Sequence, residues 1–212
     1  MRMDKVILRT VLTTLLSIVM LFGVMLLALS LIFPGTMMQL TYDLGMTASS
    51  VKYASRAYKR TDDVYYVAFA TETSIVLEDA EMIEEYGLDL IEDDEFTAYC
   101  QIRNDEIAAQ NETAESGDKI ELSYQQYVYG QVTMAQYSQG KKTEAVGTAF
   151  AGLHGTFPKN NAAAILFLTA VKMGDTDTVA TVKAKILEIC NTLDTASEDY
   201  QYASDLLSIL NG

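Results

Sequence analysis

Apolar residues fall along this chain in two patterns. From Val11 to Phe33 they form a block of 23 consecutive uncharged residues, fifteen of them Leu, Ile, Val or Phe. As a helix that block measures about 35 Å, enough to cross a hydrocarbon core of about 30 Å. Beyond Pro34-Gly35 the apolar positions recur every three to four residues, without the sustained Val/Ile/Thr alternation of strands. The spacing predicts helices near 48–60, 63–77, 79–92, 95–112, 118–139, 141–155, 161–173, 176–192 and 196–210. Turn signals such as Thr61-Asp62-Asp63, Glu78-Asp79, Gly140-Lys141 and Gly174-Asp175 separate them. Such short connections imply antiparallel neighbours. The expected domains are a tail over 1–10, a transmembrane helix over 11–33, a linker over 34–47 and a helical domain over 48–212. In the last helix Tyr202, Leu206, Leu207 and Leu210 form the apolar stripe that would close a stack.

Shifting the chain by 34 positions superimposes QGKKTEAVGTAFAGL (139–153) on MGDTDTVATVKAKIL (173–187). Gly140 then meets Gly174, Val132 meets Leu166, Ala135 meets Thr169, Ala145 meets Val179 and Leu153 meets Leu187. Over residues 126–192 the chain resembles the tetratricopeptide-repeat family, whose unit is also 34 residues. Gly140, Ala145 and Pro158 fit that pattern. Lys183 stands where it wants an apolar residue, and the chain contains no tryptophan. The resemblance implies an all-α solenoid of helix hairpins. It also implies a concave groove faced by Tyr127, Gln131, Met134, Tyr137 and Ser138, then Asn161, Ile165, Leu168 and Lys172. The competing reading makes the tyrosines and aliphatics of that set plain core.

Charge narrows the partners. The formal net charge is −14, which disfavours nucleic acid. Residues 62–123 carry 19 acidic and two basic side chains, Arg103 and Lys119, whereas 48–61 carries four basic residues and no acidic one. Those four, Lys52, Arg56, Lys59 and Arg60, share one helical face. They either solvate the helix or meet anionic lipid headgroups. Arg2, Lys5 and Arg9 precede the apolar block against Asp4 alone, so the positive-inside bias puts the N-terminus in the cytoplasm and the helical domain on the extracytoplasmic side.

Catalytic patterns are missing from the sequence. There is one histidine, His154, with no nucleophile motif beside it, and no Walker loop, G-x-G-x-x-G, G-x-S-x-G or H-E-x-x-H occurs. The acidic run Glu92-Asp93-Asp94-Glu95 lacks the spacing of a calcium loop and reads as a helix junction. Cys100 and Cys190 both lie on apolar helical stripes and are expected to be buried thiols. No catalytic residue, metal or cofactor is therefore expected. The expectation is a single-pass, membrane-anchored, non-enzymatic scaffold or assembly factor whose helical domain binds a protein or peptide. The alternative is an accessory subunit of a membrane enzyme, transporter or translocon, with the span part of the interface.

Overall fold

A computed structural model describes residues 2–115, 123–151 and 161–211. Leu153, His154 and Pro158 lie outside the described residues, as do Gly117 to Lys119. Among the described residues the chain is helical throughout, without a strand. It divides into two compact units, residues 1–70 and 71–212. The helix over 48–60 therefore belongs with the apolar block, not with the later helices.

In the first unit, α1 (Arg2–Ile32) contains a stretch, Ile7–Ile32, with no buried residues; it is long and apolar enough to cross a membrane. The helix stops at Phe33, but the segment expected as a linker is itself helical: α2 runs Pro34–Asp43 with Pro34 in its first turn. Proline terminates a helix that it follows and suits the first turn of a new one, where its missing N–H costs nothing. Gly35 leaves room for Tyr66, whose hydroxyl would lie 2.5 Å from an added Cβ. Gly45, at φ +72°, turns the chain into α3 (Thr47–Thr61). Pro34, Met37, Met38 and Thr41 of α2 are buried, as are Ser50, Val51, Ala54 and Ala57 of α3. The small side chains on α3 let the two helices pair closely. After Asp62 in the left-handed region, α4 (Val64–Val76) begins, with Phe69 edge-to-face on Tyr42 at 5.3 Å.

The second unit holds α5 (Ala80–Glu92), α6 (Phe96–Thr113), α7 (Tyr124–Ser138), α8 (Lys142–Ala151), α9 (Ala162–Met173), α10 (Thr176–Thr192) and α11 (Glu198–Asn211). Side-chain caps fix four of the helix starts. Asp79 accepts from the Met82 N–H at 3.1 Å, Ser123 from Gln126 at 3.3 Å, Asn161 from Ala164 at 2.8 Å and Asp175 from Thr178 at 3.3 Å. The acidic junction also caps itself, with the Asp93 carboxylate accepting from the Glu95 N–H at 2.8 Å. α7 is the hub, packed against α5, α6, α8 and α9; α8, α9 and α10 then pack on one another, and α11 on α10.

Burial follows the 34-residue offset in one pair of helices and departs from it in the other. Val128/Ala162, Tyr129/Ala163, Val132/Leu166, Thr133/Phe167 and Gln136/Ala170 are all buried on α7 and α9. On the next pair, Ala145 and Ala149 of α8 correspond in burial to Thr178 and Val182 of α10, an offset of 33. That one-residue rotation moves Lys183 to the half-buried flank, where its charge reaches water. In α11 Ala203 and Leu206 are buried and Leu207 half-buried, while Tyr202 is exposed, so the expected stripe holds at Leu206 and Leu207 and fails at Tyr202; the side chain of Leu210 lies outside the described residues.

Candidate functional site

The face of α7 that turns towards α9 carries an open cleft of about 460 Å³. Met134, Tyr137 and Ser138 line it from α7 and Thr169 and Met173 from α9, with Lys142 and Asp175 at one end. Asp175 organises that end. Its Oδ2 accepts from the Tyr137 hydroxyl at 2.9 Å and from Thr178 Oγ1 at 2.8 Å, and pairs with Lys142 Nζ at 2.8 Å. Hydrogen bonds from Lys142, then Thr178 and Tyr137, hold its carboxyl well below the usual carboxylate range, against a smaller opposing effect of burial. Burial, reinforced by the Asp175 charge, pushes the Tyr137 phenol upward. The polar end is thus internally satisfied, and the cleft offers apolar and aromatic surface.

Three of the nine expected groove residues, Met134, Tyr137 and Ser138, line this cleft. Leu168 and Lys172 are exposed on α9. Ile165 is half-buried and lies where a Cβ on Gly130 would be 3.5 Å from its Cδ1, so it serves the α7–α9 contact. Gln131 is half-buried on α7 and borders neither described cleft. Asn161 is 2% exposed and spends its side chain on the α9 cap; it is a structural residue, because an N-cap must face its own backbone. Thr169, Met173, Lys142 and Asp175 escaped sequence reasoning. The Gly174-Asp175 signal marked the turn, without showing that the carboxylate would reach back to α7.

Tyr127 lies elsewhere, in a second cleft of about 380 Å³ with Tyr124, Arg103, Glu72, Val76 and Ile107. Arg103 Nη2 stands 3.3 Å from Glu72 Oε1, pairs with Glu106 as well, and places its guanidinium 5.4 Å over the Tyr124 ring. Burial pulls the Arg103 pKa down, and the two carboxylates more than offset it, so the net direction is upward. Tyr124 is 4% exposed; burial and then the facing Glu72 push its phenol far above the ordinary range. This ion cluster joins α4, α6 and α7. Nothing in the local spacing signals it, since Glu72 and Arg103 are separated by a whole helix.

The basic face of α3 is exposed at Lys52, Arg56, Lys59 and Arg60. Arg60 nevertheless has a fixed role: Nη1 donates to the carbonyls of Leu31 at 3.0 Å and Ile32 at 2.6 Å, the last two residues of α1. It satisfies helix-end acceptors and opposes the negative end of the helix dipole. Arg56 sits 5.4 Å over the Tyr53 ring. Both cysteines are buried and unpaired, and among the described residues no cluster of His, Cys, Asp and Glu could hold a metal ion.

Comparison of the chain with known protein families, curated proteins and solved structures finds no match in any of the three. Its class rests on architecture alone. It is an all-helical protein over its described residues, with one N-terminal helix long and apolar enough to cross a bilayer.

Proposed function

We propose that this chain is a single-pass membrane protein with a cytoplasmic N-terminus, whose extracytoplasmic, tetratricopeptide-like helical domain is a non-enzymatic scaffold for a protein or peptide partner. The observation that carries the reading is the α7–α9 cleft and what surrounds it. Leu168, Val171 and Met173 of α9 are 55%, 52% and 71% exposed beside a concave surface that Met134 and Tyr137 continue. Clustered apolar exposure of this kind marks interaction surfaces, and methionine and tyrosine adapt to varied partner side chains. The shared burial offset of α7 and α9 supports the repeat reading, and the charge pattern around the apolar block supports the topology. A span that confines the domain to a membrane raises its effective concentration near partners in that membrane.

The test is a photoreactive residue at Leu168 in the full chain, irradiated in native membranes. The expected result is a discrete protein adduct that weakens when Met173→Glu is added. A folded, membrane-resident chain that gives no adduct, or one indifferent to Met173→Glu, overturns the proposal.

A further inference from the structure

We infer that α3 is a lipid-contact element, with Arg56 and Lys59 binding the phosphates of anionic phospholipid headgroups where α1 leaves the bilayer. This rests on the reading that α1 crosses the membrane. The apolar stretch ends at Ile32, and Arg60 donates to the Leu31 and Ile32 carbonyls. The C-terminal end of α3 is thereby pinned at the level where the hydrocarbon ends.

Helix geometry sets the reach of the other charges. At a rise of about 1.5 Å per residue, Lys59 stands about 1.5 Å from Arg60 along α3, Arg56 about 6 Å and Lys52 about 12 Å. These are greatest heights, reached only if α3 stands along the membrane normal, and any tilt lowers them. A headgroup layer adds about 5–8 Å on each side of the core. Lys59 therefore falls inside it at every such tilt, Arg56 at its outer edge or nearer, and Lys52 only where α3 lies over towards the membrane plane. All three are exposed.

No acidic residue lies in α3 to neutralise them. The carboxylates that follow are Asp62, in the left-handed turn, and Asp63, which accepts from the Tyr65 N–H at 3.0 Å. Asp43 on α2 accepts from Gln39. The buried face of α3, Ser50, Val51, Ala54 and Ala57, is distinct from the cationic one, so lipid contact requires no rearrangement of the hairpin. Arg60, though exposed, is tied to the end of α1, while the exposed Arg56 lies over Tyr53 of its own helix, which separates an anchoring charge from the two on the open face.

The experiment places the full chain in nanodiscs of phosphatidylcholine alone or of phosphatidylcholine with phosphatidylglycerol, each with a headgroup photoprobe on a trace of lipid. Crosslinked peptides are mapped by mass spectrometry. Labelling of the α3 peptide should be about fivefold or more higher in the anionic discs, fall with added salt, and drop to the neutral-disc level in Arg56→Gln/Lys59→Gln. Equal labelling in both discs, or none on α3 in chains that have entered discs, overturns the inference. Inorganic phosphate that abolishes labelling where sodium chloride of equal ionic strength does not points to a free-anion site and also overturns it. Failure of the chain to enter discs at all is a failure of the membrane reading and is scored separately.

Discussion

The hydroxyl of Tyr137 on α7 donates to Oδ2 of Asp175, the residue that caps α10, at 2.9 Å. The same oxygen holds Lys142 and Thr178, so one carboxylate ties three helices together. Asp175 titrates below its ordinary value of 3.8 in the folded state, which fixes the sign of its pH dependence. The ionised form is favoured by folding, so its stabilisation is complete above the unfolded pKa and is lost as pH falls through the folded one. Asp175→Asn should melt below the parent by a constant interval from about pH 7 to pH 5. That interval should narrow below about pH 4 and close only well beneath it. Thermal melts of both proteins across this range check it, and an interval unchanged down to about pH 3 contradicts the arrangement.

Gly87 on α5 sets how closely α5 approaches α7. A Cβ there would collide with Cγ2 of Val132, which is fully buried and branched at Cβ, so it has little rotamer freedom on a helix. Alanine improves helix propensity by up to about 1 kcal/mol, while overpacking a filled core costs about 1–3 kcal/mol. Gly87→Ala should therefore destabilise by about 1–2 kcal/mol. Combined with Val132→Ala, the loss should be smaller than the sum of the two single losses, because the second change vacates the space the first requires. Urea unfolding of the three variants provides the cycle, and strict additivity would show that the two positions do not touch.

Leu166 and Leu168 are two residues apart on α9 and differ in environment as much as two leucines can. Leu166 is fully buried and Leu168 is 55% exposed. Leu166→Ala leaves a cavity between α9 and its neighbours and should cost about 2–5 kcal/mol. Leu168→Ala should change stability by no more than about 0.5 kcal/mol. If the partner surface is correctly placed, it still weakens capture of the partner. Denaturant midpoints for the pair test the register of the helix, and similar losses at the two sites would mean that α9 is rotated.

Helix positions from Thr47 onward were legible because a period near 3.6 and local caps both act within a few residues. α2 was not, since Pro34-Gly35 carries the same signature whether it ends a helix or opens the next one. The Met134, Tyr137 and Ser138 side of the cleft was accessible through the 34-residue offset, which holds for burial on α7 and α9. Asn161, which the same offset places in the groove, is buried and caps α9, because a cap is dictated by its own helix and not by its place in a repeat. Arg60 is 28 residues from Ile32, and Glu72 is 31 residues from Arg103. Such pairings depend on how helices dock, which periodicity does not encode.

Cys100 lies 4% exposed on α6 near Tyr129, and burial pushes its thiol up to about 12 from an ordinary 9.0. A shift of that size leaves about 1,000-fold fewer thiolates near pH 8, and the thiolate is the nucleophile. Cys190 is shifted in the same direction by burial, so both thiols should react slowly with a maleimide in the folded protein and promptly in denaturant. The pH dependence separates the shifted pKa from steric shielding alone. Labelling at Cys100 should keep rising about tenfold per pH unit through pH 10, where an ordinary thiol has levelled off. A rate that plateaus near pH 9 would mean that shielding, and not the cost of placing a charge in the α6–α7 interior, protects this residue.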